Sequence, residues 1–169
     1  MGMTKTRVKR EKRKSARLAY IEHVGVYDKI PFGEYIERLY GWEKKNHVRP
    51  GFYPMGIFLD PPDAKPQEKL RSEIGIQIYG EARSTDGILI KELPTMEVAC
   101  ISHKGPSAEH PKTYSDLSEW ITRHGYEWAG PSIEIYTRKP KLVRGETILF
   151  TKIMAPLRET MMAQKRNES

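Results

Sequence analysis

The stretches AYIEHVG, residues 19–25, and ACISHKG, residues 99–105, share alanine, isoleucine, histidine and glycine at the same four positions. They are separated by a constant offset of 80 positions. A short apolar run that ends in a glycine predicts a β-strand closing in a turn. The repeat therefore indicates that one small structural unit occurs twice in the chain.

A segment with helical spacing follows each of these strands. PFGEYIERLYGWEKKN, residues 31–46, and TYSDLSEWITRHG, residues 113–125, carry apolar residues at steps of three and four. Gly125 stands where a left-handed helix cap is expected. Each half is thus predicted as strand, helix, strand, strand. The later strands are expected within residues 51–62, 70–80, 131–140 and 146–157.

We predict an α+β fold of two such units, about residues 18–93 and 94–158, related by a pseudo-twofold axis. One unit is too small to bury both faces of an antiparallel sheet, so the two are expected to share a core around a central ligand pocket. The proline-rich segment DPPDAKPQEK, residues 60–69, is predicted to be a surface loop.

Positive charge is concentrated at the N-terminus. The chain has 29 Lys and Arg against 22 Asp and Glu, a formal net charge of +7, yet residues 1–17 hold eight basic residues against Glu11 alone. Such a run predicts a basic disordered tail over residues 1–17. Its residues 5–17 offer nonspecific contact to nucleic acid, with a merely solubilising tail as the alternative. A second polar tail is expected over residues 159–169.

Several classes of protein and site are excluded. The sequence shows neither a run of 18 apolar residues nor a secretory signal, so we expect a cytoplasmic protein with no membrane partner. A single cysteine, Cys100, excludes an internal disulfide. The five histidines lack the spacing of a metal motif, and phosphate-loop and serine-nucleophile motifs are also missing, so no metal or cofactor is expected. Exposed sheet edges leave a homodimer open.

One acid interrupts the apolar pattern of GPSIEIYTRKP, residues 130–140. Because side chains alternate along a strand, Glu134 and Tyr136 share one face while Ile133 and Ile135 share the other. If the isoleucines pack under the helices, the carboxylate and the phenol face the space between the units.

Alignment of the halves by their prolines, residues 54 and 131, makes Ile57 the counterpart of Glu134. The acid therefore breaks the repeat, which suggests a local function. An ordinary solvated acid on an exposed strand is the alternative.

From Leu18 to Leu157 the chain resembles the GyrI-like small-molecule-binding domain family, the effector-binding domain of AraC-type and MerR-type regulators. The matching pieces include YIEHVGVYDKIP, IKELPTMEVACISHKGP, YSDLSEWITRHGYEWAGPSIEIY and TKIMAPL. The resemblance implies a pocket for hydrophobic, often cationic, aromatic compounds, with the family's pocket glutamate at Glu134. The aromatic residues expected to line it are Tyr27, Tyr53, Tyr114, Trp128 and Tyr136.

The family's regulators carry a helix-turn-helix domain before the effector domain, and the 17-residue basic segment is too short to be one. We therefore expect a stand-alone member, for which control of transcription would need a partner.

Three functions remain open. The first is binding or sequestration of organic cations with Glu134 as charge partner. The second is hydrolysis of strained cyclopropanoid genotoxins with Glu134 as general base. The third is a gyrase-inhibitor-like role in protein interaction.

Overall fold

The computed structural model describes residues 7–168. The chain divides into two units. The N-terminal unit is Lys14–Thr95, and the C-terminal unit combines the residues up to Arg13 with those from Met96 onward. Each unit is an antiparallel sheet with a long helix packed on it, so the predicted α+β class and the order strand, helix, strand, strand are confirmed.

The N-terminal unit has a four-stranded sheet in the order β3-β4-β2-β5. On one face of the sheet, Leu39 and Trp42 of the helix pack against Ala19, Ile21 and Ile76. Its elements are β2 (Ala16–Val24), α1 (Phe32–Lys45), β3 (Arg49–Phe58), β4 (Arg71–Tyr79) and β5 (Leu89–Leu93).

The C-terminal unit has its main strands in the order β1-β6-β9-β8, and the short β7 pairs with β9. Leu117 and Ile121 of its helix pack against Ala99, Ile101 and Ile153 of the sheet. Its elements are β1 (Lys9–Arg13), β6 (Met96–Pro106), α2 (His110–Arg123), β7 (Tyr126–Trp128), β8 (Ser132–Val143), β9 (Glu146–Glu159) and α3 (Met161–Glu168).

Local sequence explains where both long helices end and where the second one begins. Lys44 and Lys45 lie in the last turn of α1, where positive charge complements the helix dipole. A proline lies near the start of α2, and its last turn carries Arg123. Gly125 follows with φ of 79°, which confirms the predicted left-handed cap.

The expectation of a disordered tail over residues 1–17 is wrong for the part that the structure describes. Lys9–Arg13 form β1, which pairs antiparallel with β6. The carboxylate of Glu11 accepts a hydrogen bond from Nζ of Lys152 at 2.9 Å. A count of charges predicts self-repulsion, but it ignores the backbone hydrogen bonds that an open strand edge provides. Residues 1–6 lie outside the described residues.

The predicted surface loop between β3 and β4 is confirmed, and one buried acid fixes it. Asp60 accepts hydrogen bonds from the backbone and guanidinium of Arg71 and pairs with Lys65 at 3.1 Å. At the other end of the chain, α3 occupies most of the expected polar tail 159–169. Within residues 7–168 no helix has the length and apolar character needed to cross a membrane.

Candidate functional site

The register of β8 against β9 decides which way Glu134 points. Glu134 lies opposite Ile153, and Tyr136 lies opposite Thr151. Directly opposed residues of an antiparallel pair point to the same face of the sheet. Ile153 belongs to the core cluster that includes Leu117 of α2. Glu134 and Tyr136 therefore face α2.

This corrects the expectation that the isoleucines pack under the helix. Ile133 lies opposite Met154, on the face turned away from α2, and both side chains are buried, with 2% and 3% of their surface exposed. Alternation along the strand was predicted correctly. Because side chains on both faces of β8 are buried at this point, the apolar pattern did not reveal which face carries the helix.

The register also corrects the counterpart of Glu134 in the first repeat. The isoleucine of each repeat stretch pairs with another isoleucine, Ile74 in β4 or Ile153 in β9. On the other side, Ile74 pairs with Gly56 and Ile153 pairs with Glu134. The structural counterpart of Glu134 is therefore Gly56, one residue before Ile57. At this position the second half carries an acidic side chain, whereas the first half carries a glycine.

Two phenols hold the carboxyl group of Glu134, which is 7% exposed. Tyr114 of α2 donates a hydrogen bond to Oε2. The hydroxyl of Tyr136 lies 3.4 Å from Oε1. Oγ of Ser132 lies 3.3 Å from the hydroxyl of Tyr114. One acid, two phenols and a serine thus form a polar group on the helix-facing side of β8.

Burial governs the electrostatics of this group. Burial raises the pKa of Glu134, and the hydrogen bonds from Tyr114 and Tyr136 oppose that rise only in part. Burial, together with the neighbouring Glu134, raises the pKa of Tyr136 well above its usual range. Among residues 7–168 no cationic side chain pairs with Glu134. The site therefore disfavours the ionised form of Glu134 relative to a carboxyl group in water, and a positive charge placed beside it would favour that form.

Three of the six side chains proposed from sequence meet in this group: Glu134, Tyr136 and Tyr114. Trp128 lies on β7 and packs against the apolar cluster beneath α2. Sequence reasoning missed Ser132, although strand alternation places it on the same face as Glu134 and could have identified it.

The remaining two tyrosines belong to the N-terminal unit. The hydroxyl of Tyr27 lies 2.7 Å from the carbonyl oxygen of Asp60 and 2.9 Å from that of Arg71. Tyr27 thereby ties the β3–β4 loop to the segment that follows β2. Tyr53 is 47% exposed on β3, with its ring 6.3 Å from that of Phe52.

Comparison with known protein families gives the decisive match, because the model of the GyrI-like small molecule binding domain matches residues 7–158. The chain belongs to the GyrI-like small-molecule-binding domain family. The predicted resemblance is therefore confirmed, and the matched region includes β1. No curated protein sequence matches this GyrI-like chain. Across the described residues, no group of three or more His, Cys, Asp or Glu side chains is arranged to hold a metal ion.

Solved structures show the same fold at low sequence identity. The C-terminal domain of EcmrR has a TM-score of 0.72 and 15% identity, over 93% of this chain and 100% of that one. EcmrR in a DNA complex has a TM-score of 0.74 and 17% sequence identity over 94% of this chain. The chain spans only 59% of the EcmrR chain.

Two further solved structures are similar to this chain at lower identity. A hydrolase encoded by lin2189 from Listeria innocua gives a TM-score of 0.69 and 12% identity, over 91% and 93% of the two chains. SAV2435 bound to tetraphenylphosphonium has a TM-score of 0.57 and 10% sequence identity, over 90% of this chain and 94% of that one. At these identities the likeness concerns the fold.

Proposed function

We propose that the chain binds amphipathic organic cations with an aromatic body, and that Glu134 is their charge partner. The observation that supports this is the buried carboxyl group of Glu134, which is hydrogen-bonded by Tyr114 and Tyr136. Within residues 7–168 it has no cationic partner. Sequestration or sensing of such compounds is the function that this arrangement favours.

The energetics suit a weakly hydrated cation. Two unit charges 4 Å apart attract each other by about 4 kcal/mol at an effective dielectric constant of 20, before the cost of removing water from either charge. An aromatic cation spreads its charge over a large apolar body, so this cost is small compared with that of a compact ammonium group. The rings of Tyr114 and Tyr136 add cation–π attraction of about 0.5–2 kcal/mol per good contact.

Tetraphenylphosphonium is a suitable probe, because a protein of the same fold binds it. We would titrate it, and neutral triphenylphosphine oxide, into the wild type and Glu134→Gln by calorimetry. We expect the substitution to weaken the cation about tenfold or more and the neutral compound less than about threefold. Glu119→Gln is the matched control, because Glu119 is an exposed glutamate on α2. Equal losses for both compounds would argue against a charge partner at Glu134.

Proton release provides a second, independent test. A bound cation favours the ionised carboxylate, and burial raises the pKa of Glu134 in the free protein, so binding releases a proton at any pH at which the free protein still holds it. Affinity should therefore rise with pH. Calorimetry in two buffers of different ionisation enthalpy measures the protons released, and we expect this number to fall to zero in Glu134→Gln.

Hydrolysis is the second candidate function, favoured by the same raised pKa and by the two phenols that orient the carboxyl group. Glu134 would take a proton from a water whose oxygen attacks a strained cyclopropane carbon, and would return it to the carbon released by ring opening. Turnover of a neutral cyclopropanoid electrophile, abolished by Glu134→Gln, would support this role. Tight binding without turnover would leave sequestration as the function.

A protein-interaction role predicts partner binding that survives the substitution.

A further inference from the structure

A narrow ribbon extends from the C-terminal unit. β8 and β9 are joined by Arg144 and Gly145, whose φ angles of 50° and 80° are typical of a two-residue type I′ hairpin turn. The last pair between β6 and β9 joins Pro106 to Ile148. Beyond that pair, Leu142 pairs with Thr147 and Val143 pairs with Glu146, and we refer to residues 142–147 as the ribbon.

Three cationic side chains converge on one aromatic ring at the base of this ribbon. The charged groups of Lys104, Arg138 and Lys141 lie 5.9, 5.7 and 5.9 Å from the centre of the Phe150 ring. The register explains two of these contacts, because Lys104 and Arg138 are the direct cross-strand neighbours of Phe150. We refer to these four residues as the Phe150 cluster.

The Phe150 cluster has more positive charge than its surroundings compensate. All three cationic side chains are exposed, and none forms an ion pair with any residue between 7 and 168. Like charges held close together repel each other, and the contact of an exposed cation with an aromatic ring offsets only a small part of that repulsion. Lys139 and Arg144 continue the positive charge along the hairpin, where Glu146 is the single acid between residues 138 and 146. Such a surface is complementary to a polyanion.

We propose that the ribbon and the Phe150 cluster form a binding surface for the phosphate backbone of double-stranded DNA. The major groove of B-DNA, about 12 Å wide, admits a two-stranded β-ribbon. Cationic side chains at the base of the ribbon then contact the phosphates that border the groove. Leu142 and Val143, 76% and 48% exposed near the tip, supply apolar contact with base edges.

The size of the apolar tip favours nucleic acid over an anionic membrane. Two aliphatic side chains bury less apolar surface than one myristoyl chain, and one myristoyl chain alone gives only marginal membrane binding. Positive charge is the larger feature of this surface, and phosphate contacts dominate affinity for DNA. No residue of the Phe150 cluster takes part in the hydrogen bonds of Glu134, so this proposal does not depend on the cation site proposed above.

The test uses the full chain and a fluorescein-labelled duplex of 20 base pairs, followed by anisotropy at several salt concentrations. The test variant combines Lys104→Gln, Arg138→Gln and Lys141→Gln. The matched control combines Lys29→Gln, Lys69→Gln and Lys112→Gln, which removes the same charge from exposed lysines elsewhere. Vesicles of phosphatidylserine and phosphatidylcholine are tested by sedimentation in parallel.

We expect the wild type to bind the duplex with a strong dependence on salt. The test variant should bind about tenfold or more weakly at low salt, and the slope of log K against log salt should shrink by about 2 to 3. The control should keep its slope within about one unit. Equal losses in both variants would show diffuse attraction and overturn the proposal. Binding of the wild type to vesicles but not to DNA, or to neither, would also overturn it.

Discussion

Glu43 gives the sharpest prediction about stability. It lies on α1, is 2% exposed, and neither of its carboxyl oxygens has a hydrogen-bond partner among the described residues. Burial raises the pKa of Glu43 from about 4.5 to about 7. A proton is therefore bound more tightly by the folded protein than by the unfolded chain, so the contribution to stability is complete below pH 4.5 and is lost as pH rises to about 7.

A shift of one pKa unit corresponds to about 1.4 kcal/mol, so the free energy of unfolding should lose about 3 kcal/mol through this group. Glu43→Gln removes the titration and keeps the shape of the side chain. We expect the variant to be more stable than the wild type at pH 8 by up to about 3 kcal/mol, and within about 1 kcal/mol of it at pH 5.

Urea denaturation at the two pH values measures this difference directly. Glu37→Gln, an exposed position on the same helix, is the control and should change stability by less than about 0.5 kcal/mol at either pH. A difference between Glu43→Gln and the wild type that is the same at pH 5 and pH 8 would refute the assignment of an uncompensated buried carboxylate to Glu43.

Three further predictions concern single residues. Tyr114→Phe removes a hydrogen bond that favours ionised Glu134, so affinity for tetraphenylphosphonium should weaken and the midpoint of its pH dependence should rise. Tyr126→Phe is the control, and an unchanged pH dependence in Tyr114→Phe would contradict the role of this hydrogen bond. Gly125→Ala should cost about 1–2 kcal/mol in thermal unfolding because of its positive φ, whereas Gly41→Ala in the exposed middle of α1 should stabilise by about 0.5–1 kcal/mol; the same sign for both would be inconsistent with this account. Burial raises the pKa of Cys100 to about 12, so iodoacetamide should modify the folded protein far more slowly than the urea-unfolded chain, and equal rates would show that the thiol is accessible.

Local sequence predicted the repeated elements well. The shared residues of the two repeat stretches and the helical spacing after each were sufficient to place β2, β6, α1 and α2. The same local rules correctly placed Glu134 and Tyr136 on one face of β8. Information of this kind depends on neighbours within a few positions, which a single sequence contains.

The features that the sequence did not predict depend on pairing between strands that are far apart in the chain. The face on which Glu134 lies and its counterpart Gly56 both depend on which residues pair across β9 and β4. Proline positions were a poor guide, because residue 54 lies inside β3 while residue 131 precedes β8. The strand formed by Lys9–Arg13 was missed because its only signal is the edge of β6, about 90 positions further along the chain.

The pairing of β1 with β6 has a consequence for how the chain is made. The N-terminal unit, Lys14–Thr95, lies between these two strands in sequence. During synthesis β1 therefore leaves the ribosome first, and the whole N-terminal unit is synthesised before β6, the partner of β1. Domains generally fold as units during synthesis, and a long loop must be closed before distant strands can pair. We therefore expect β1 to dock late, after the first unit has formed, and its basic composition to keep it well solvated until the edge of β6 is available.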